Sequence, residues 1–281
     1  MSKILSAEMF KLRREKVTGV VVLINIALVS LFSLGMVLAI RFFGEEIMSA
    51  FQDPEMVAMG MDSMESMFAD STIAAPGTAF ALFYQFVAIC AAVLAGFFIC
   101  VEFDTGTIRN TLSVGKGRMG YYISKLITLF VTSIILAVIS IVIYMAIFIM
   151  FFGFSWPGGS YAIDLLLLFG ANILIHLTYV SLFAAAAFMF RSFGVTLGVA
   201  LGFTMFIDQL VVMLLGMGFF EPVRFIQNIF PYHNVLQFVN VFSAGYEGEM
   251  RTYLIAAAAC VITIIGSTVV GMVTFAKRDV K

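Results

Sequence analysis

The chain has 281 residues, 62% of them hydrophobic and 12% charged, with a mean hydropathy of +1.07. So few polar side chains cannot cover a water-soluble domain of this length, and a net charge of −1 supplies no overall field for nucleic acid or an acidic substrate.

Residues 1–16 are basic, with Leu5, Met9 and Leu12 at helical spacing. That pattern predicts an interfacial helix whose bases lie near anionic lipid headgroups, entering the membrane through an elbow near Gly19. The apolar run that follows is too long for the core of a signal peptide. About 20 helical residues cross a hydrocarbon layer of about 30 Å. On that measure spans are expected near 17–43, 78–101, 123–152, 163–190, 194–216 and 253–276. The runs are continuously apolar rather than alternating, which selects helices over a membrane barrel. The expectation is an all-α integral membrane protein of six transmembrane helices, with residues 1–281 forming one transmembrane domain.

Between the spans, Lys3, Lys11, Arg13, Arg14, Lys16, Arg109, Lys116, Arg118, Lys125, Arg191, Lys277, Arg278 and Lys281 fall on one side. Only Arg41, Arg224 and Arg251 fall on the other, so thirteen of the 16 bases share a side. By the positive-inside rule both termini are cytoplasmic. The first outer loop, 44–77, is acidic and carries Met56, Met59, Met61, Met64 and Met67. Thioethers could hold copper(I); a short amphipathic helix on the outer surface is the simpler account.

Polar residues within the spans are expensive and point to function or to interhelical hydrogen bonds. Asn172 and His176, four apart, share a face of the fourth span, and with Asp208 they form a candidate polar substrate path. Asp208, about 25 Å beyond Arg191 along a helix, is expected near the outer interface, where a carboxylate is tolerated. Asp164 is placed to cap the fourth span. Gly194, Gly198 and Gly202 line one face of the fifth span and would let a helix approach closely, within the chain or between subunits. Residues 211–252 are apolar but broken by Pro222 and Pro231, which suggests re-entrant outer helices before the last span. Cys90, Cys100 and Cys260 sit in apolar runs without metal-ligand spacing and read as small buried hydrophobes.

The motifs of catalysis are missing. There is no G-x-x-x-x-G-K-[ST], no H-E-x-x-H and no G-x-S-x-G. The chain is expected to be no enzyme on its own, with no metal centre and no cofactor of its own.

One segment departs from the apolar background: EFDTGTIRNTLSVGKGRMGYYISK, residues 102–125. Asp104 or Thr105 can cap a short helix that Gly115 ends. Ile108 and Leu112, four apart, give it a small apolar face, with Arg109 pointing elsewhere. A solvated connector is the plainer reading. The order E-F-D-x-G-T-I-R-x-x-L-S-x-G-x-x-R-x-x-Y-x-x-S-K, however, resembles the signature of ABC-2 type permeases. The basic N-terminus, six spans and broken segment before the last span are similar in outline.

That resemblance implies a dimer of six-span subunits in the plasma membrane of a bacterium, each bound to a cytoplasmic ABC ATPase that carries ATP and Mg. The second permease subunit would be identical or related, and membrane lipids, not nucleic acid, are its surroundings. The helix between the second and third spans would be a coupling helix. Glu102, Asp104, Gly106, Thr107, Ile108, Arg109, Leu112 and Arg118 would serve it, with Ile108, Leu112 and Arg109 docking on the ATPase and Glu102 and Asp104 fixing the helix to its spans. Relatives of this type export antimicrobial peptides, lantibiotics, drugs or lipid-linked molecules. An exported amphipathic peptide is the favoured substrate; a drug or lipid-linked substrate, or a sensory or structural subunit, is the alternative.

Overall fold

The computed structural model describes residues 2–51, 75–113, 117–152, 161–216, 226–243 and 250–277, and among them every regular element is helical. The Met-rich part of the first outer loop, Gly115, Lys116 and Pro222 lie outside the described residues. Helix α1 (Ser2–Arg14) precedes α2 (Lys16–Phe51), α3 (Ala75–Asp104), the short α4 (Thr107–Ser113), α5 (Arg118–Phe152) and α6 (Tyr161–Phe190). Next, α7 (Phe193–Gly202) runs through a π turn (Phe203–Ile207) into α8 (Asp208–Gly216). Helices α9 (Pro231–Ser243) and α10 (Met250–Lys277) complete the order.

Six segments among the described residues are long and apolar enough to cross a membrane: Lys16–Gly35, Tyr84–Asp104, Arg118–Phe151, Leu165–Phe190, Phe193–Leu215 and Met250–Lys277. By length and composition they are the candidate spans of a multi-pass membrane protein. The second and fourth spans, on α3 and α6, are mostly buried by the others and form the centre. They carry many small residues where they meet, among them Ala88, Ala91, Ala92, Ala95, Ala184 and Ala187. Small side chains let two backbones come close where lipid tails remove any hydrophobic advantage of pairing. The outer spans expose large aliphatic side chains such as Leu23, Leu31, Val142 and Ile262, as lipid-facing surfaces should.

Several local expectations need correction. The turn into the first span falls at Glu15, not Gly19, which lies inside α2; the N–H of Glu15 still bonds the Lys11 carbonyl at 3.0 Å. Helix α6 begins at Tyr161, so Asp164 stands within its first turn rather than as its cap. On the fifth span, Thr196, Ala200, Thr204, Asp208 and Val212 are buried at four-residue intervals. Each four-residue step overshoots an α-turn by about 40°. From Thr196 to Asp208 the drift would reach about 120°, and the extra residue held in the π turn takes back about 100° of it. The π turn therefore keeps Asp208 facing protein.

Among the described residues, the glycine face of that span packs on nothing. A Cβ on Gly194, Gly198 or Gly202 would meet no atom within 4 Å. The close approach lies instead at Gly271 of α10, where a Cβ would sit 2.3 Å from the Tyr122 hydroxyl and 3.0 Å from the Ala185 Cα. Tyr122 and the α6 backbone fill the place a side chain would need. Gly271→Val should therefore destabilise the chain by about 1–3 kcal/mol through overpacking, whereas Gly198→Val should leave it unchanged. Thermal unfolding of both variants in detergent checks the contrast.

Candidate functional site

The segment between the second and third spans is built from backbone geometry first. Helix α3 ends at Asp104, and Thr105 closes it by donating its N–H and its hydroxyl to the Val101 carbonyl at 2.9 and 2.7 Å. Gly106 follows with φ +67°, a left-handed conformation that strains any residue with a Cβ. Its carbonyl accepts the Arg109 N–H at 3.2 Å as α4 begins. The helix thus starts at Thr107, later than the expected caps Asp104 and Thr105, because those two residues finish α3.

Ile108 is buried among the spans, 1% exposed, and Leu112 packs against the same core. This corrects the expected docking face: the apolar side of α4 seats the helix on its own transmembrane domain. The exposed side carries Asp104, Thr105, Thr107 and Arg109. Arg118 is also committed internally, donating to the Ala276 carbonyl at 2.7 Å and so holding the last turn of α10.

Beneath α4 lies a cluster of charges of which the sequence motif marks only Glu102 as an anchor. Lys125, on α5, is wholly buried and donates to Glu102 Oε1 at 2.7 Å and to the Phe98 carbonyl at 3.3 Å. Its ammonium stands 3.6 Å from the centre of the Phe98 ring. The Glu8 carboxylate of α1 is 2.8 Å from the same ammonium, an ion pair without hydrogen-bond alignment. Glu102 also accepts Lys11 of α1 and the Tyr121 hydroxyl of α5. Two acids and two lysines thus neutralise one another, and they tie α1 to the ends of both spans that flank α4. Asp104, expected to share the anchoring, is exposed and takes no part among the described contacts. The available signals were a lysine at position 125 inside an apolar run and Glu8 one residue from the apolar stripe of α1.

The polar residues expected along a substrate path do not form one cluster. His176 Nδ1 lies 2.6 Å from the Asn172 carbonyl, which requires the proton on Nδ1 and leaves Nε2 an acceptor. That Nε2 and Asn172 Oδ1 are buried and make no hydrogen bond among the described residues. Asp208 is 0% exposed, so its carboxylate is surrounded by protein. It accepts the Tyr179 hydroxyl of α6 at 2.5 Å and the Tyr232 N–H of α9 at 3.2 Å. Burial, and then the Asp208 carboxylate, push the Tyr232 phenol above its ordinary pKa. Cys90, Cys100 and Cys260 are free and buried.

Residues 4–207 match a family model described as ABC-2 family transporter protein. The chain belongs to the ABC-2 family. Its match spans α1, the charged cluster, α4 and the spans as far as Ile207, stopping one residue before Asp208. No curated protein matches the chain. An ABC-2 permease works, as a class, with an ATPase partner. In this ABC-2 protein the buried Lys125–Glu102 pair carries the attachment of α1 and α4. Glu102→Gln or Lys125→Met alone should cost about 3–5 kcal/mol by leaving a buried charge unpaired, and the double variant less than their sum. A double-mutant cycle on unfolding in detergent measures this.

Proposed function

We propose that the chain is the membrane subunit of an ATP-driven exporter for a hydrophobic or amphipathic peptide, an antimicrobial peptide or lantibiotic, worked by a separate cytoplasmic ATPase. The observation that carries this reading is α4: a seven-residue helix locked below by Ile108 and the Glu102 cluster, with a left-handed glycine at its entry. A rigid short helix passes on displacement that a flexible loop would absorb. ATP and Mg reside on the ATPase, and the permease itself performs no catalysis. Its nucleotide states move the spans only if they contact the exposed side of α4 differently. Arg109, Thr107 and Asp104 are the contacts on that side, and Ile108 acts from beneath.

Asn172 and His176 support a peptide over a purely apolar cargo. Their two unmet acceptors in the central fourth span suit a substrate that brings N–H donors, as a peptide backbone does. The bare glycine face of the fifth span supports a second permease subunit, since a neighbouring helix there would find no side chains in its way. Both termini, α4 and the basic residues near them lie on the cytoplasmic side.

Arg109→Glu should abolish copurification of the ATPase, as a wild-type complex of two permeases and two ATPases, while unfolding of the permease is unchanged. Ile108→Asp should lose both, because it also unseats α4. Retention of the ATPase by Arg109→Glu would remove α4 as the docking element. For orientation, a cysteine at Ile163 should react with an impermeant thiol reagent in intact cells and one at Asp104 should not.

A further inference from the structure

The end of the bundle opposite α4 carries a buried carboxylate, Asp208, with no cationic partner among the described residues. The ion pairs among the described residues all belong to the Glu102 cluster. Asp208 is instead satisfied by donors from two other elements, the Tyr179 hydroxyl and the Tyr232 N–H. Tyr232 is the second residue of α9, and Pro231 the first. Proline suits that position because its missing N–H would have had no partner anyway. The residue before it, Phe230, has no side-chain oxygen, so α9 cannot cap itself. Asp208 does so from the fifth span, and the partial positive charge of the α9 N-terminus offsets the carboxylate.

Tyr84 of α3 completes the arrangement, stacking on Tyr179 at 6.0 Å and on Tyr232 at 6.3 Å between ring centres. Gln227, just before α9, adds a hydrogen bond to the Val212 carbonyl at 3.1 Å. Four elements (α3, α6, the fifth span and α9) therefore converge on one carboxylate, aimed at them by the π turn immediately before it.

We infer that Asp208 is a clasp: a helix cap supplied by another element, which holds α9 over this end of the bundle and keeps water out of the core beneath. It is a positioning residue, and the closed end depends on it whether or not the chain transports a peptide.

The native thiols report on this. Cys260 belongs to the same buried core as Tyr179, and Cys90 is six residues, or about 9 Å, along α3 from Tyr84. Cys100, near the α4 end, sits by the Ala187 carbonyl and Thr196. The chain alone, without ATPase or nucleotide, is placed in lipid nanodiscs and treated with a cationic, water-soluble methanethiosulfonate. Wild-type thiols should react slowly at all three positions. Asp208→Leu, and the milder Tyr179→Phe, should speed reaction at Cys260 and Cys90 about tenfold or more, as loss of a charge-assisted hydrogen bond implies. Cys100 should not change. Unchanged rates at Cys260 and Cys90 in both variants would overturn the clasp. So would an equal rise at Cys100, which would make Asp208 a general stabiliser only. Neither result bears on the exporter reading, because no partner is present.

Discussion

A lysine ammonium with no solvent exposure is the constraint on which the α4 end of this protein rests. An unpaired charge at that depth would cost several kcal/mol, so Lys125 must be surrounded by groups that accept it. Glu102, Glu8, the Phe98 carbonyl and the Phe98 ring do this. Because these groups come from α1, α3 and α5, meeting the need of one side chain fixes three helices relative to one another. The position of α4 follows, since only Thr105 and Gly106 separate it from α3. Lys11 contributes less, being 42% exposed and screened by solvent.

The two ends of the bundle solve the same electrostatic problem by different means. At the α4 end, charge is balanced by charge. At the other, Asp208 is balanced by hydroxyl and backbone donors and by the dipole at the start of α9. Between them, the fourth span holds two acceptors with no hydrogen-bond partner among the described residues. This ordering gives the chain two well-fastened ends with the buried polar residues Asn172 and His176 between them.

The spans were legible because the bilayer leaves few solutions: a continuous apolar run of sufficient length is a helix. Six were expected, and six candidate spans are found among the described residues. Errors arose where a residue's meaning depends on a distant partner. Ile108 reads as a free apolar face until α4 is laid on the spans, when it proves to be the seat. Gly194, Gly198 and Gly202 advertise a packing surface by their spacing, yet the indispensable absence of a side chain is at Gly271, which belongs to no motif. Counting rise along a helix gives a height for Asp208 but not its burial, because neither the π turn nor the arrival of Tyr232 from 24 residues away can be counted from sequence. Lys125 counts in the sequence as one more base, whereas its burial makes it the anchor.

The length of α2 has a consequence of its own. Its 36 residues extend about 54 Å, against about 30 Å of hydrocarbon. One end is fixed, because Lys16 follows directly on α1, which the charged cluster holds. Nearly all of the excess must then emerge at the opposite face, as a mast standing about 20 Å clear of the acyl chains. The helix therefore continues past its apolar span, Lys16–Gly35, through positions 41, 45 and 46, where the sequence has charged residues that a segment beyond the hydrocarbon can carry.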